Sequence, residues 1–188
     1  YYWIGEDLFK KGMIDEVILL YSEALRSFPN GDYSDKMRYT LAWAHLKKGD
    51  LDTALREFDK TVEISDEEDL VVSALCSIGD ILTGRDQYEK AIEVYDRVLK
   101  EFPASLLADY AQYQVGYILK IMGRYEEAIL AFRSILVNFK GSSLTDRASY
   151  QLGVLSSAKG DHKAAIEQFD MLITDHQGSV LIDEARLK

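Results

Sequence analysis

The chain has 188 residues, of which 47% are hydrophobic and 29% are charged, so it can bury a core and is not a disordered segment. Its formal net charge is −10 and its basic residues never cluster beyond pairs, which argues against a nucleic-acid-binding face. The single cysteine, Cys76, excludes an internal disulfide framework, and no apolar run approaches the roughly 20 residues of a membrane span.

A pair of helices is predicted in residues 1–31. Gly12 separates two amphipathic stretches, at a place where a helix ends with a left-handed residue. Pro29 follows the second stretch and stops it. The chain begins at Tyr1 without an initiator Met, so we expect this first pair to be incomplete and the chain to be a fragment of a longer protein.

The same pair of stretches recurs at 32–68, 69–105, 106–142 and 143–179, and residues 180–188 match the start of a further repeat. The step is 37 residues, and an apolar residue followed four positions later by an aromatic one returns at every step. These pairs are Val17/Tyr21, Ala54/Phe58, Ala91/Tyr95, Ala128/Phe132 and Ala165/Phe169. Because the apolar positions have helical spacing, each repeat is predicted to be helix–turn–helix.

Two further columns follow the same step and predict how each pair is built. Small residues occupy one position of the first helix, which lets the paired helices approach closely: Gly5, Ala42, Gly79, Gly116 and Gly153. Glycine marks the turn within the pair at Gly12, Gly49, Gly123 and Gly160, and Asp86 is the exception. Between repeats, Ser105 and either Ser142 or Ser143 are expected to cap the helix that follows.

The pattern Leu152-Gly153…Gly160…Ala165…Phe169 and the segment GRYEEAILAF at 123–132 resemble the tetratricopeptide repeat. The resemblance covers essentially the whole chain. It implies an all-α fold, a right-handed α-solenoid (superhelix) of stacked antiparallel helix pairs that forms one array over 1–188.

The repeat is longer than the usual tetratricopeptide unit, and its extra residues lie between repeats, as in 103–116. This longer variant resembles the repeats of bacterial envelope proteins, such as the periplasmic coordinator associated with Tol–Pal and the lipoprotein of outer-membrane barrel assembly. The resemblance therefore implies the periplasm or cell envelope, and the cytoplasm stays open as an alternative.

The resemblance also implies that a protein or peptide partner binds along the concave side, which the first helices line. In each repeat, the inward positions lie six and three residues before the small residue and one residue after it. Aromatic side chains occupy seven of them: Tyr2, Tyr39, Trp43, Tyr110, Tyr113, Tyr117 and Tyr150. Tyr and Trp are enriched at binding hot spots, so the predicted partner-binding residues are Tyr39, Trp43, Tyr110, Tyr113, Tyr117 and Tyr150.

For Tyr39, Tyr113 and Tyr150 a second interpretation stays open, in which they pack between neighbouring first helices. Trp43, Tyr110 and Tyr117 occupy inward positions where other repeats carry residues such as Ser, Asp or Val, so packing within the repeat does not require them. Family members that grip a C-terminal carboxylate do so with Lys and Asn at inward positions, and this chain mostly has aromatic and acidic residues there. We therefore do not expect a receptor for chaperone tails.

No catalytic or metal-binding pattern is present. The three histidines, His45, His162 and His176, replace Leu, Tyr and Phe of other repeats, so ring packing is expected. Cys76 has no histidine base in its own or the facing column. The acidic run 66–69 is predicted to be a solvated turn that stabilises the next helix, with calcium binding as the weaker alternative.

The leading hypothesis is a non-catalytic protein–protein interaction scaffold without cofactor or metal. Two alternatives stay open. One is a structural module that self-assembles into a homo-oligomer. The other is a regulatory region of a larger protein whose activity lies outside these residues.

Overall fold

The computed structural model describes residues 1–175 and 178–187, and all regular secondary structure in this part of the chain is α-helical. The predicted all-α class is therefore confirmed. His176 and Lys188, the last residue of the predicted further repeat, lie outside the described residues. The helices are α1 (Tyr2–Lys10), α2 (Ile14–Ser27), α3 (Ser34–Lys47), α4 (Leu51–Ile64), α5 (Glu68–Gly84), α6 (Tyr88–Glu101), α7 (Ala108–Ile121), α8 (Tyr125–Asn138), α9 (Thr145–Ala158), α10 (His162–Asp175) and α11 (Ile182–Arg186).

The 37-residue step of the sequence appears directly in the helix bounds. The second helices of the pairs, α2, α4, α6, α8 and α10, begin at residues 14, 51, 88, 125 and 162, and each has 14 residues. The helix α5 departs from the pattern, because it begins at Glu68 and has 17 residues. Its first turn carries Glu68 and Asp69, whose carboxylates favour a helix N-terminus, so the acidic run extends the helix towards its start.

The turn within each pair has the left-handed backbone that the glycine column predicts. Gly12, Gly49, Gly123 and Gly160 all have φ between 74° and 79°. Asp86 takes the same place with φ 57° and is the non-glycine residue with positive φ in the described part of the chain. Aspartate tolerates this region better than most residues, which explains how one repeat keeps the turn without glycine.

The chain divides into two compact units, Tyr1–Val94 and Tyr95–Lys188. In unit 1, each of the helices α1 to α4 packs on the next one in the chain, ending with α4 on α5. In unit 2, α7 packs on α8, α8 on α9, α9 on α10, and α10 on the short α11. Short loops join these helices, so packed neighbours run antiparallel. None of the helices in the described ranges combines the length and apolar character needed to span a bilayer.

In three helix pairs, α1 with α2, α7 with α8 and α9 with α10, an aromatic ring of the second helix lies over a glycine of the first helix. A Cβ placed on Gly116 would lie 2.9 Å from Cε1 of Phe132, and one on Gly153 would lie 2.5 Å from Cε1 of Phe169. The rings are buried: Phe132 is 0% exposed and Phe169 is 5% exposed. The prediction that the small column permits close approach of the helices is confirmed, and the ring is what fills the space.

Neighbouring repeats are linked by polar contacts that return at the repeat step. The Ser142 hydroxyl donates to Asp109 of the preceding first helix, and the Ser179 hydroxyl donates to Asp146 at 2.6 Å. Each serine Oγ also accepts a backbone N–H two residues on, and Ser105 does the same with Leu107. The predicted capping role of Ser105 and of Ser142 or Ser143 is wrong, because Leu107 and Leu144 are the N-cap residues of α7 and α9 and neither helix has a side-chain cap hydrogen bond. The hydroxyls of Ser105 and Ser142 instead bind the backbone N–H of those two leucines in the turn before the helix.

We expect Gly153→Ala to lower the free energy of unfolding by about 1–3 kcal/mol, because the new methyl group overlaps the Phe169 ring and forces the helices apart. The matched control is Gly84→Ala at the end of α5, where an added Cβ meets no atom within 4 Å. Alanine there should leave stability unchanged or raise it by up to about 1 kcal/mol. Urea unfolding followed by circular dichroism measures both, and equal effects of the two variants would contradict the ring-on-glycine packing.

Candidate binding groove

A groove of about 600 Å³ opens on the first-helix side of unit 1. Three successive first helices contribute to it: α1, α3 and α5. The lining is mainly aromatic and aliphatic, with a few polar and charged groups: Tyr2, Glu6, Phe9, Lys36, Tyr39, Thr40, Trp43, Lys47 and Leu70. Such a volume and lining are typical of sites that bind small molecules or short peptide segments.

Helical spacing places these side chains on one face. On α1, the residues Tyr2, Glu6 and Phe9 follow steps of four and three. On α3, the steps of four from Tyr39 lead to Trp43 and Lys47. The helix therefore presents a continuous row, with the two aromatic rings in the middle and the ammonium group at the C-terminal end of α3.

The aromatic rings of the groove rest on the core ring below them. The Tyr39 and Trp43 rings lie 5.6 and 5.9 Å from the Phe58 ring, both edge-on, and 6.4 Å from each other. Edge-to-face pairs at these distances are favourable. Since Phe58 is fully buried, Tyr39 and Trp43 are held in position by the core while their outer edges face the groove.

Tyr2 stacks on Tyr33 at 4.7 Å with the rings nearly parallel, and this contact forms one side of the groove. Burial raises the pKa of the Tyr2 phenol, and the nearby Glu6 carboxylate adds to the shift. The phenol therefore stays neutral at physiological pH and offers an uncharged wall.

The acidic group of the groove is bound by the protein itself. Glu6 accepts hydrogen bonds from the Tyr21 hydroxyl at 3.0 Å and from the Thr40 hydroxyl at 2.8 Å. Tyr21 also donates to the Tyr2 carbonyl at 2.8 Å. Burial and the Glu6 charge raise the Tyr21 pKa far above its usual value, so this donor never ionises in the working range.

The two lysines of the groove differ in their pairing. Lys36 forms an ion pair with Glu67 at 2.7 Å, and its ammonium also lies 6.0 Å from the Tyr33 ring. Lys47 lies over the Phe9 ring at 5.7 Å and has no carboxylate partner in the described part of the chain. Among the same residues, the Tyr39 hydroxyl and the Trp43 indole N–H have no hydrogen-bond partner either. The groove thus keeps three donors available.

Sequence reasoning found Tyr2, Tyr39 and Trp43, and the structure brings these three together. It missed Phe9 and Lys47. Helical spacing could have predicted both, because Phe9 and Lys47 follow Tyr2 and Tyr39 on the same helix faces at steps of three and four residues. They were missed because they lie outside the inward columns that the resemblance supplied. Leu70 lines the groove from α5 and carries no such signal, because only the placement of three helices brings it there.

The predicted site residues of unit 2 form a separate aromatic group. Tyr113 lies 5.4 Å from the core ring of Phe132, and Tyr150 lies 5.9 Å from that of Phe169. Burial raises the pKa of both phenols, and their hydroxyls lie against Gln151 and Glu184 of the following first helices. The packing interpretation therefore describes part of what Tyr113 and Tyr150 do.

Tyr110 and Tyr117 differ from those two. The Tyr110 ring lies 6.4 Å from Tyr95, and its hydroxyl accepts a hydrogen bond from Gln114 at 2.9 Å. Tyr117 is 39% exposed. Among the predicted residues of unit 2, it is the one whose side chain is most open to a partner.

The described histidines and the acidic run 66–69 do not form a catalytic or metal-binding group. His45 is partly buried and lies 3.3 Å from Asp50, which caps α4 by accepting the Thr53 N–H. The prediction of ring packing is wrong for His162, which is exposed because it is the first residue of α10 and not within a buried turn. The run 66–69 is exposed, as predicted, and the described residues contain no cluster suited to a metal ion.

Cys76 is a buried thiol on α5. Burial, with a smaller contribution from the Asp80 charge, raises its pKa to about 12. A nucleophilic cysteine needs the opposite shift, since the thiolate is the reactive form.

Helix pairs repeated at a constant step, with a groove lined by the first helices, define an α-helical repeat protein. A family model for the tetratricopeptide repeat matches residues 39–106, 76–143 and 121–180, and the chain belongs to this family. No curated protein matches the chain.

Solved structures with the same fold share little sequence with the chain. MamA from Desulfovibrio magneticus is 22% identical over 96% of this chain and 95% of its own, with a TM-score of 0.74. A tetratricopeptide repeat protein from Parabacteroides merdae is 21% identical over 97% and 68%, with a TM-score of 0.78. YrrB, a tetratricopeptide repeat protein with an unusual peptide-binding site, is 19% identical over 98% and 89%, with a TM-score of 0.71.

We expect Cys76 to resist alkylation in the native protein. At pH 8, iodoacetamide should react at least about 100-fold more slowly with the folded chain than with the chain unfolded in urea, because burial removes both the thiolate and access to it. Mass spectrometry of timed samples measures the ratio. Equal rates would show that Cys76 is exposed and ionised, and would reopen the question of a nucleophile.

Proposed function

We propose that the protein is a non-catalytic protein–protein interaction scaffold that binds a peptide segment of a partner in the groove of unit 1. The observation that carries this proposal is the state of Tyr39 and Trp43. Both rings are fixed on Phe58, line an open groove, and have polar groups that no described residue satisfies. Rigid aromatic side chains with a free polar tip are the usual anchors of binding hot spots.

The composition of the groove supports a peptide rather than a nucleotide or a metal. Glu6 is the one carboxylate among the described residues that line the groove, and these residues contain no cluster suited to a metal ion. Peptide segments offer backbone carbonyls to the available donors and side chains to the rings. YrrB has a peptide-binding site on the same fold, which adds support at the level of architecture.

In unit 2 we propose that Tyr117 makes a second contact with the partner. Tyr110, Tyr113 and Tyr150 would flank it as partly buried walls. Their rings are positioned by Tyr95, Phe132 and Phe169, as the rings of Tyr39 and Trp43 are by Phe58.

For the compartment, we propose the bacterial periplasm or cell envelope, on the resemblance of the 37-residue repeat to envelope proteins. Cell fractionation of the native protein in its source organism tests this. Recovery in the cytoplasmic fraction would contradict it without affecting the binding proposal.

We expect Trp43→Ala to weaken peptide binding about thirtyfold or more, since truncation of an anchor costs about 2 kcal/mol. The ligand is a peptide selected on the wild-type protein from a random heptapeptide library displayed on phage, and fluorescence polarisation measures its Kd. Because Trp43 also rests on Phe58, the variant should melt at a lower temperature. Binding is therefore measured at a temperature where circular dichroism shows the variant to be folded.

Tyr125→Ala is the matched control, because Tyr125 is as exposed as Tyr117 (40% against 39%) but belongs to a second helix. It should bind the selected peptide as tightly as the wild type. Glu127→Ala, also on α8, serves as a second control. If folded Trp43→Ala binds as tightly as these controls, the peptide binds elsewhere and the groove proposal is wrong.

Self-association is the second candidate function, and one observation favours it. Ile4 is 61% exposed, whereas the equivalent residues of the other repeats, Leu41, Ile78, Val115 and Leu152, are 3% to 7% exposed. In unit 1, Leu41 is buried against Val17, Tyr21, Ala24 and Leu25 of the preceding second helix. A face of this kind is shaped for another helix pair, which either a preceding repeat of a longer chain or a second copy of this chain can provide.

We expect self-association to depend on Ile4 if this second candidate is correct. Sedimentation velocity at increasing concentration should show dimers of the wild type, and Ile4→Asp should stay monomeric because a buried, unpaired carboxylate opposes the contact. Leu19→Asp changes an equally exposed residue on α2 and is the control. A wild type that is monomeric throughout, or equal effects of the two variants, would refute the candidate.

A further inference from the structure

We infer that the groove of unit 1 selects a partner segment in which an acidic side chain adjoins an aromatic or aliphatic one. The inference rests on the proposed peptide-binding function and assigns the chemistry of the ligand. Its basis is the arrangement of groups in the groove, where aromatic rings occupy the middle and the ammonium of Lys47, which pairs with no carboxylate of the described residues, lies at one end.

The charged side chains of the groove differ in whether they already have a partner within the protein. Both hydroxyl donors bind one oxygen of the Glu6 carboxylate, Oε1, and the ammonium of Lys36 pairs with Glu67. The ammonium of Lys47 lies over the Phe9 ring, and no carboxylate of the described residues forms an ion pair with it. A carboxylate placed beside Lys47 would form a charge-assisted hydrogen bond, while a second ammonium would be repelled.

The repeat fold does not require a lysine at the C-terminal end of the first helix. Lys10 and Lys47 are the last residues of α1 and α3, and cations there favour a helix C-terminus. However, α5, α7 and α9 end in Gly84, Ile121 and Ala158 at the equivalent positions and form the same turn. The repeat therefore folds without a lysine at this position, and the presence of Lys47 in the groove fits a ligand with negative charge.

The net charge of −10 opposes binding of an acidic ligand at long range, but the effect of each charge depends on its distance from the ligand. At physiological ionic strength the screening length is about 8 Å, so carboxylates farther away are largely screened. A ligand carboxylate in contact with Lys47 at about 3 Å interacts with that charge far more strongly. The local ammonium, rather than the total charge, therefore sets the preference inside the groove.

The Tyr39 and Trp43 rings determine the preference for an apolar residue next to the acidic one. Trp43 and Lys47 are one helical turn apart on α3, so a ligand residue on the Trp43 face and one at the ammonium are close neighbours in an extended peptide. The indole N–H of Trp43 and the hydroxyl of Tyr39 can then donate to the peptide carbonyls between them. The recognised unit is thus a short acidic–apolar segment within a chain, with no need for a free C-terminal carboxylate.

The test is a selection of phage-displayed random heptapeptides whose C-termini are fused to the coat protein, so that no terminal carboxylate is available. The library is selected in parallel on the wild type, Lys47→Gln, Trp43→Ala and Lys163→Gln. Lys163 is an exposed lysine of α10 outside the groove, so its variant has the same net charge as Lys47→Gln. Circular dichroism verifies that all four proteins are folded.

On the wild type and Lys163→Gln, we expect enrichment of Asp or Glu next to Leu, Phe, Tyr or Trp. On Lys47→Gln the acidic preference should disappear while the apolar preference remains. A synthetic amidated peptide from the selection should bind Lys47→Gln roughly fivefold to tenfold more weakly than the wild type, and its Asn/Gln analogue should bind both proteins equally.

Apolar enrichment that depends on Trp43 but shows no acidic preference would overturn this inference and leave the peptide-binding function standing. If the wild type enriches no sequences beyond those enriched on Trp43→Ala, both the acidic–apolar inference and the proposed peptide-binding function are wrong. Selected sequences that match acidic–apolar segments of this chain would overturn the assignment to a separate partner and identify a second copy as the ligand.

Discussion

Each repeat depends on the contact between an aromatic ring of its second helix and a residue with little or no side chain on its first helix. The ring of Phe132 or Phe169 occupies the space that a Cβ on Gly116 or Gly153 would take, so the two helices approach closely and exclude water. The same buried rings support the tyrosines and the tryptophan of the first helices from below. The core and the candidate binding surface are therefore two sides of one aromatic layer.

This arrangement separates stability from recognition along the first helix. Buried positions of α3, such as Leu41 and Ala44, pack in one core with Val17 and Tyr21 of α2 and hold neighbouring pairs together. The half-buried positions carry side chains that differ between repeats, and in unit 1 these differences produce a groove whose Tyr39, Trp43 and Lys47 offer donors that no described residue pairs. The family fold supplies the frame, and the variable positions supply the chemistry that a partner would read.

The fold could be predicted from the sequence because each structural position is repeated, so that chance resemblance in one repeat is corrected by the others. The positive φ at the glycine column and at Asp86 follows from this repetition. The groove could be predicted only in part. Phe9 and Lys47 were missed because the inward columns were taken from a resemblance, and Leu70 because its position depends on three helices together. His162 was misjudged since a column shared with tyrosines does not reveal that the position begins a helix.

The ring-on-glycine contact joins residues only 16 positions apart, as from Gly116 to Phe132, and this short separation bears on how the protein forms during translation. Contacts between residues close in sequence form quickly, and helical proteins rich in them fold in microseconds to milliseconds. A ribosome adds about 5–20 residues per second, so one 37-residue repeat takes roughly 2–7 s to emerge. Each hairpin can therefore close long before the next one is complete, which limits the time for which its aromatic residues are exposed to other nascent chains.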